Sequence, residues 1–454
     1  MERPIEFLPG KLYDWLRREA ASWVGEGLVD QGQADAILAR YEAEEQRDSG
    51  GRLVTILAVL GSLLVGTGVI LFFASNWQFI PKPAKVSIIL TAIVAAYGLG
   101  YYLAFEKGSY PRVGRALIFL GSICYGSGIW LIAQIFHISS HFPDGLLIWL
   151  LGIAPLVLVC RSLSVLLEVA LLLFIWTIAE PVEFNNYNPL FVPVAGLALW
   201  LGYRMRSRLT VGAALLAVLA WITAGGLVAF SGSSDFPAPV FMVSAAAGLC
   251  LFMLGGIHGW WEKAERWAPM KFPYQLAGLL GYFAFAFLLS FEGVTGGFRQ
   301  LVHYPAGLWV LFAAVALSCL SAAAFSLARA GGERPRIYEG TLVLAALAVL
   351  GVMTVVSPRL SGTAVYAVMN LLLFISTVGF IVVGYLKREE VLINLGLLFF
   401  VVDVIARYFD FFWEMLPKSV FFMAGGVLLL VGGFFLERNR RKMLREMRVM
   451  QDAA

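Results

Sequence analysis

Long apolar runs separated by short polar loops fill the chain from Leu53 to Leu436. A helix needs about 20 consecutive apolar residues to cross the hydrocarbon core of a bilayer, and most of these runs have that length. The pattern therefore predicts an all-α fold, a polytopic transmembrane helical bundle of about 14 spans (12–14). The runs at 145–160 and 190–203 are short, so a full crossing is left open for them. The predicted spans are roughly 53–75, 85–105, 114–137, 145–160, 163–180, 190–203, 209–230, 239–257, 273–291, 304–329, 337–356, 363–386, 389–410 and 419–436.

Basic residues are concentrated in alternate loops, and this distribution predicts the orientation. Cytoplasmic loops of membrane proteins carry an excess of Lys and Arg. With a cytoplasmic N-terminus, the outer loops 138–144, 181–189 and 231–238 contain none. We therefore expect a multi-pass protein of the bacterial inner membrane with both termini in the cytoplasm. All but six of the 34 basic residues then lie inside, the six being Lys82, Lys85, Arg299, Arg359, Arg407 and Lys418.

The composition agrees with residence in a membrane. Hydrophobic residues make up 60% of the 454 residues and charged residues 14%, whereas soluble domains have roughly 25% charged residues. The first 52 residues are polar and lack the apolar stretch of a signal peptide, so we expect the first span to remain as an anchor. Four widely separated cysteines in or beside apolar runs are expected to be core residues without a disulfide or metal role: Cys124, Cys160, Cys250 and Cys319.

Two segments outside the predicted spans suggest partners. Residues 1–50 predict a cytoplasmic helical hairpin, with one helix from Pro9 to about Val24 and a second from Gln31. This hairpin is either a cap on the transmembrane domain (53–436) or a docking module for a protein partner. The basic cytoplasmic tail, 437–454, either binds anionic lipid at about 1 kcal/mol per basic residue or acts only as a topology signal. The basic residues do not suggest a nucleic-acid partner.

A short motif occurs twice, sixty residues apart. The segment 61–69, GSLLVGTGV, is repeated at 121–129 as GSICYGSGI. Small residues four apart let helices approach closely in a bilayer, where no hydrophobic force drives them together. We expect helix packing at these positions, with local unwinding at a transport site as the alternative, and a duplication that relates the hairpins 53–105 and 114–160. The packing residues are Gly61, Ser62, Gly66, Gly68, Gly121, Ser122, Gly126 and Gly128.

Several stretches resemble one known family, the bacterial membrane proteins grouped as DUF2157. They are Trp23–Leu28, Phe73–Trp77, Gly128–His137, Phe142–Asp144 and, near the end, Arg407–Asp410. The resemblance is most specific over residues 10–160 and rests on hydropathy beyond them. It implies a polytopic bacterial inner-membrane protein and supplies no catalytic residues.

Polar residues inside the predicted spans are candidates for a functional cavity. A charge at mid-bilayer costs about 2.5–3.5 kcal/mol even on the most lenient scale, so each needs a partner or water. Glu168 has no basic neighbour at helical spacing, and burial would favour its neutral, proton-bound form. A purely structural role is the alternative throughout, through helix capping or ion pairs along one helix. The candidates are Asn76, Gln134, His137, Glu168, Asp403, Arg407 and Asp410, with Trp77 beside the first.

These patterns favour a transporter or flippase-like protein that moves a small or lipid-linked solute. The alternative is a non-catalytic scaffold that recruits partners through residues 1–50. A membrane enzyme would need a cluster such as His137, His141, Asp144 and Asp410 at the headgroup level. The chain contains no nucleotide-binding loop, zinc-binding spacing or nucleophile elbow, so we expect no cofactor, no metal and no catalytic residues.

Overall fold

The N-terminal segment combines two helices with a pair of short strands. The two helices are α1 (Gly10–Gly25) and α2 (Gln31–Leu38). Strand β1 (Glu6–Pro9) pairs in parallel with strand β2 (Tyr41–Glu44). Only helices were predicted for this segment, and the two strands were missed because β1, with the sequence EFLP, does not alternate and β2 is at the lower length limit of the pattern.

A computed structural model describes most of the chain. The chain divides into two compact units, Met1–Val86 and Ser87–Ala454. The predicted first span (53–75), with its copy of the repeat and with Asn76 and Trp77, lies outside the described residues. The described residues are 6–38, 41–44, 79–107, 110–138, 141–229, 238–258, 268–295, 306–328, 333–413 and 418–452.

Helices follow one another from Lys82 to the end of the described chain. Short turns of other helix types extend three of them, at Tyr102–Glu106, Ala268–Met270 and Ser357–Arg359. The helices are α3 (Lys82–Tyr101), α4 (Pro111–Phe136), α5 (Phe142–Cys160), α6 (Leu163–Phe184), α7 (Phe191–Arg204), α8 (Arg208–Ala229), α9 (Ala238–Ile257), α10 (Lys271–Leu289), α11 (Glu292–Thr295), α12 (Ala306–Ala328), α13 (Arg334–Val356), α14 (Gly362–Lys387), α15 (Glu390–Phe412) and α16 (Lys418–Asp452).

Among the described residues, eleven helices are long and apolar enough to cross a membrane: α3–α6, α8–α10 and α12–α15. The protein is therefore a multi-pass membrane protein, whereas the predicted count of 14 spans is not confirmed. Helix α7 has only 14 residues, so the predicted span at 190–203 is shorter than a bilayer core. By contrast, the predicted span at 145–160 lies in α5, whose 19 residues are enough.

The last predicted span and the basic tail form one helix. Helix α16 continues for 35 residues without a break between them. Arg440, in the tail portion, donates a hydrogen bond from Nε to Asn394 Oδ1 at 2.8 Å, near the start of α15. This contact places the beginning of the tail at the same end of the bundle as the first turns of α15.

Two large apolar cores in the second unit are joined by a smaller one. One core is built from α4–α8 and includes the fully buried Trp176. The other is built from α9, α10 and α12–α15 and includes Tyr282 and Phe380. Side chains of α8, such as Val211, connect the two by packing with α9 and α10. Large apolar residues elsewhere point outward, as expected for helices whose outer surface faces lipid.

Helices α9 and α10 lie in closest contact through two glycines. A Cβ at Gly248 would lie 2.6 Å from the backbone nitrogen of Tyr282, and one at Gly278 would lie 2.5 Å from that of Phe252. Backbone atoms cannot rotate away as a side chain can. The close approach of these helices therefore requires glycine on both sides.

We predict that Gly248→Ala destabilises the protein by about 1–3 kcal/mol, the usual range for overpacking a core. Gly196→Ala in α7 is the matched control, because nothing lies within 4 Å of its added Cβ. The control is expected to be neutral or more stable by up to about 1 kcal/mol, since alanine favours the helix. Thermal unfolding of the purified proteins measures both. Equal stabilities for the two variants would contradict the assigned contact.

Candidate functional site

Glu168 lies in the second turn of α6 and is buried, with 8% of its surface exposed. Its Oε2 lies 2.5 Å from the hydroxyl Oγ of Ser122 on α4. The same hydroxyl lies 2.7 Å from the carbonyl oxygen of Phe119. The indole of Trp149, on α5, lies beside the carboxyl group, and both Trp149 Nε1 and Glu168 Oε1 are buried without a hydrogen-bond partner. Three helices thus enclose one carboxyl group.

The second copy of the repeated motif forms the wall of this site. A Cβ at Gly126 would overlap the indole ring of Trp149, and one at Gly121 would lie 2.8 Å from the ring of Tyr97. Gly128 is packed in the same way, with a Cβ position 2.9 Å from Ile89. The small residues therefore give room to the aromatic rings beside Ser122.

Gln134 and His137 do not join Glu168 in a common cavity. Gln134 lies twelve residues beyond Ser122 on α4, which is about 18 Å along a helix at 1.5 Å per residue. Both side chains are exposed. His137 ends α4 with a positive φ of 54°, a left-handed conformation in which histidine is more frequent than most residues. The structure thus gives His137 a position at a helix end.

A second polar group joins α5 and α6 at this end of the bundle. His141 lies between two carboxylates, with Nδ1 at 3.4 Å from Asp144 Oδ1 and Nε2 at 3.3 Å from Glu180 Oε2. Glu180 also accepts hydrogen bonds from the amides of Asn188, at 3.0 Å, and Asn186, at 3.4 Å. In the described part of the chain, His141, Asp144 and Glu180 are the one set whose donor atoms, within 4.8 Å of one another, could share a metal ion. The amides already satisfy Glu180 without an ion.

Arg407 connects α15 to two neighbouring helices. Its guanidinium contacts Asp410 at 2.8 Å and Asp403 at 3.4 Å on its own helix. It also donates hydrogen bonds to Tyr366 Oη, at 2.9 Å, and to Ser290 Oγ, at 3.0 Å. The expected pairing along one helix is present, and the contacts with α14 and with the end of α10 add to it.

The opposite end of the second unit contains a charged cavity of about 390 Å³. The first turns of α10, α13 and α15 and the last turns of α9, α12 and α14 surround it. Its size falls in the range of about 300–1,000 Å³ that is usual for small-molecule sites. Its charged and amide lining residues are Lys271, Gln275, Glu333, Arg336, Glu339, Lys387, Arg388 and Glu389.

Ion pairs between distant helices hold the charged cavity together. Lys387 contacts both carboxylate oxygens of Glu339 at 2.7 Å and Glu389 Oε1 at 3.3 Å. Lys271 contacts the same oxygen of Glu389 at 2.6 Å, and Gln275 donates to the other oxygen at 2.7 Å. The carboxylate of Glu389 therefore contacts side chains of both α10 and α14.

The electrostatic balance favours the ionised form of Glu389. Burial alone raises the pKa of its carboxyl group, but the charges of Lys387 and Lys271 and the hydrogen bonds from Lys271 and Gln275 outweigh burial and lower it. Glu389 lies in the turn between α14 and α15, outside both candidate spans.

The charged cavity was not predicted from the sequence. Its lysines and arginines were interpreted only as orientation signals. A usable signal was nevertheless present, because Glu339 and Gln275 are polar residues inside predicted spans, each a few residues from a basic loop. Both are buried, with 7% and 6% of their surfaces exposed.

Residues 21–166 match the family model DUF2157, described as "Predicted membrane protein". The resemblance predicted from the sequence is thereby confirmed over those residues. The match includes Ser122 and Trp149, and it ends before Glu168 and before every residue of the charged cavity. No curated protein and no solved structure matches the chain.

We predict that the cavity makes stability depend on pH through Glu389. Because folding lowers the pKa of this carboxyl group, its contribution is complete above the ordinary Glu value of about 4.3 and is lost as the pH falls below it. Glu389→Gln is expected to destabilise the protein by about 2 kcal/mol at pH 7, the order of a hydrogen bond to a charged group. The difference from the wild type should shrink below pH 4.

Thermal unfolding of both proteins between pH 7 and pH 3 measures this difference. Glu183→Gln, which changes an exposed carboxyl group at the end of α6, is the control and should leave the curve unchanged. A gap between Glu389→Gln and the wild type that stays constant over this range would contradict the assignment.

Proposed function

We propose that the protein is a transporter or flippase-like membrane protein that takes a small or lipid-linked solute with an anionic group into the charged cavity. The observation that carries this proposal is the concentration of Lys271, Lys387, Glu339 and Glu389 around a space of about 390 Å³. Even paired charges cost desolvation energy when they are buried, and apolar side chains in their place are often as stable, so stability alone does not explain this group. Binding of a solute is the explanation that we propose for these charges.

The geometry supports an anionic group as the recognised part of the solute. Lys271 and Lys387 meet at one oxygen of Glu389, so a single anion that displaced this carboxylate would contact both lysines. Three helices, α10, α13 and α15, also begin at the cavity, and the N-terminal ends of helices favour negative charge. The position at the helix ends suits a phosphate in the headgroup layer.

We propose further that the cavity opens to the cytoplasm, with both termini on that side of the inner membrane. The excess of Lys and Arg in the loops on this side supports the orientation. The hydrogen bond between Arg440 and Asn394 supports a position of the tail beside the same helix ends. There the basic residues of α16 would lie near anionic lipid.

A scaffold remains the alternative, and two observations favour it. Neither Glu168 nor Gln134 lines the charged cavity, so this cavity does not support the functional cavity that was predicted around these two residues. The N-terminal segment also belongs to a separate compact unit, as a docking module for a protein partner would.

The proposal predicts that the wild-type protein moves phosphatidylglycerol between leaflets. The test uses liposomes that contain tail-labelled fluorescent phosphatidylglycerol. External dithionite bleaches the label in the outer leaflet of any liposome. It should also bleach the label that starts in the inner leaflet, but only when the protein is present to move that lipid outward. Lys271→Gln should slow this at least tenfold, because one of the two lysines that meet an incoming phosphate is gone. Arg112→Gln, an exposed residue at the start of α4, is the control.

A second experiment distinguishes a free solute from a lipid as the ligand. Glycerol phosphate added to the protein in phosphatidylcholine nanodiscs should raise the thermal midpoint if a free phosphate ester binds, since a ligand at 100 times its Kd stabilises by about 2.7 kcal/mol. Bleaching equal to that of empty liposomes, together with an unchanged midpoint, would contradict the proposal and favour the scaffold.

A further inference from the structure

The hydrogen count at Ser122 determines the protonation of Glu168. A serine hydroxyl carries one hydrogen. Two oxygens lie within hydrogen-bond distance of it, the carbonyl of Phe119 at 2.7 Å and Glu168 Oε2 at 2.5 Å. The carbonyl can only accept. If Glu168 were ionised, one of these contacts would join two oxygens with no hydrogen between them.

A neutral Glu168 supplies the missing hydrogen. Its carboxylic acid then donates to Ser122 Oγ, and Ser122 donates to the carbonyl of Phe119. Both distances fit O–H···O hydrogen bonds, whose usual range is 2.5–3.0 Å. The two bonds provide partners for Glu168 Oε2, Ser122 Oγ and the carbonyl oxygen of Phe119, and they leave no net charge in the hydrocarbon.

The surroundings contain no counter-ion for an ionised Glu168. In the described part of the chain, no ion pair joins it to Lys, Arg or His. Tyr97 of α3 lies close enough to interact electrostatically with Glu168, and a phenol cannot supply a positive charge. The charged residues of the helices packed against α6 lie at their ends: Arg112 and Arg115 of α4, Asp144 of α5, Arg204 of α7 and Arg208 of α8. Arg161, in the turn before α6, is exposed to the surroundings, and none of the ion pairs described joins it to Glu168. Glu180 and Glu183 lie at the far end of α6.

We propose that Glu168 is a proton-binding site inside the membrane, occupied at neutral pH. The site is built to exist in a second state as well. On loss of the proton, Ser122 can turn its hydroxyl from Phe119 to Glu168 Oε2. The indole N–H of Trp149, which has no partner, lies beside the carboxyl group and can donate to Oε1. Binding and release of one proton would therefore change the hydrogen bonds between α4, α5 and α6.

This inference is independent of the charged cavity. The residues of Glu168's site lie on α3–α6, whereas those of the cavity lie on α9, α10 and α12–α15. A protein that binds no solute in the cavity would still hold this proton. If solute binding in the charged cavity is disproved, proton binding at Glu168 is unaffected, and the reverse also holds.

Infrared spectroscopy of the full-length protein in lipid nanodiscs at pH 7 tests the inference. The difference between the wild type and Glu168→Gln should contain the C=O stretch of one protonated carboxyl group. Glu183→Gln, at the exposed end of the same helix, should lose a carboxylate band instead. Because a glutamine amide can also donate to Ser122, Glu168→Gln is expected to fold normally.

Ser122→Ala provides a second test that leaves Glu168 in place. Removing the hydroxyl should shift the protonated C=O band to higher frequency, since the acid loses its acceptor. A carboxylate band lost at pH 7 in Glu168→Gln, or a C=O band unaffected by Ser122→Ala, would overturn the proposal.

Discussion

The hydrocarbon of a bilayer offers no hydrogen-bond partner, and this constraint explains where the polar side chains of this protein lie. Each polar group in a span must find its partner within the protein or release its charge. Arg407 follows the first course with Tyr366 and Ser290, and Lys387 follows it with Glu339. Glu168 follows the second by keeping a proton. The same constraint explains why charged residues are concentrated at the two ends of the bundle, because only there is a charge without a protein partner tolerated.

Glycine makes these internal partnerships geometrically possible. Without a side chain at Gly126, the indole of Trp149 can lie against α4 and reach the carboxyl group of Glu168. Gly248 and Gly278 have the same effect for α9 and α10, whose contact brings Gln275 toward the charged cavity. Close backbone packing and polar pairing are therefore linked in this bundle, since distant helices could not exchange hydrogen bonds.

The sequence predicted the environment and most helix positions, because apolar length is a local property. It also identified Glu168 and the Ser122 motif separately, but not their contact, since residues 46 apart meet only through tertiary packing. Gln134 and His137 were grouped with Glu168 as polar residues inside predicted spans that could converge, although about 18 Å of helix separates Gln134 from Ser122, the residue that contacts Glu168. The charged cavity was missed for a related reason. Its lysines lie in basic loops, where the simplest explanation is orientation, and their pairing with Glu339 and Glu389 depends on the packing of α10, α13 and α14.

The most direct test of the whole account is whether the bilayer separates the two ends of the bundle. Single cysteines can be placed at Arg334 and Arg441, on the cavity side, and at Asn186 on the other, after replacing the four native cysteines with alanine. A membrane-impermeant maleimide applied to intact cells should label Asn186→Cys alone, and the other two only after the membrane is disrupted. Labelling of Arg334→Cys and Asn186→Cys from the same side would contradict the account.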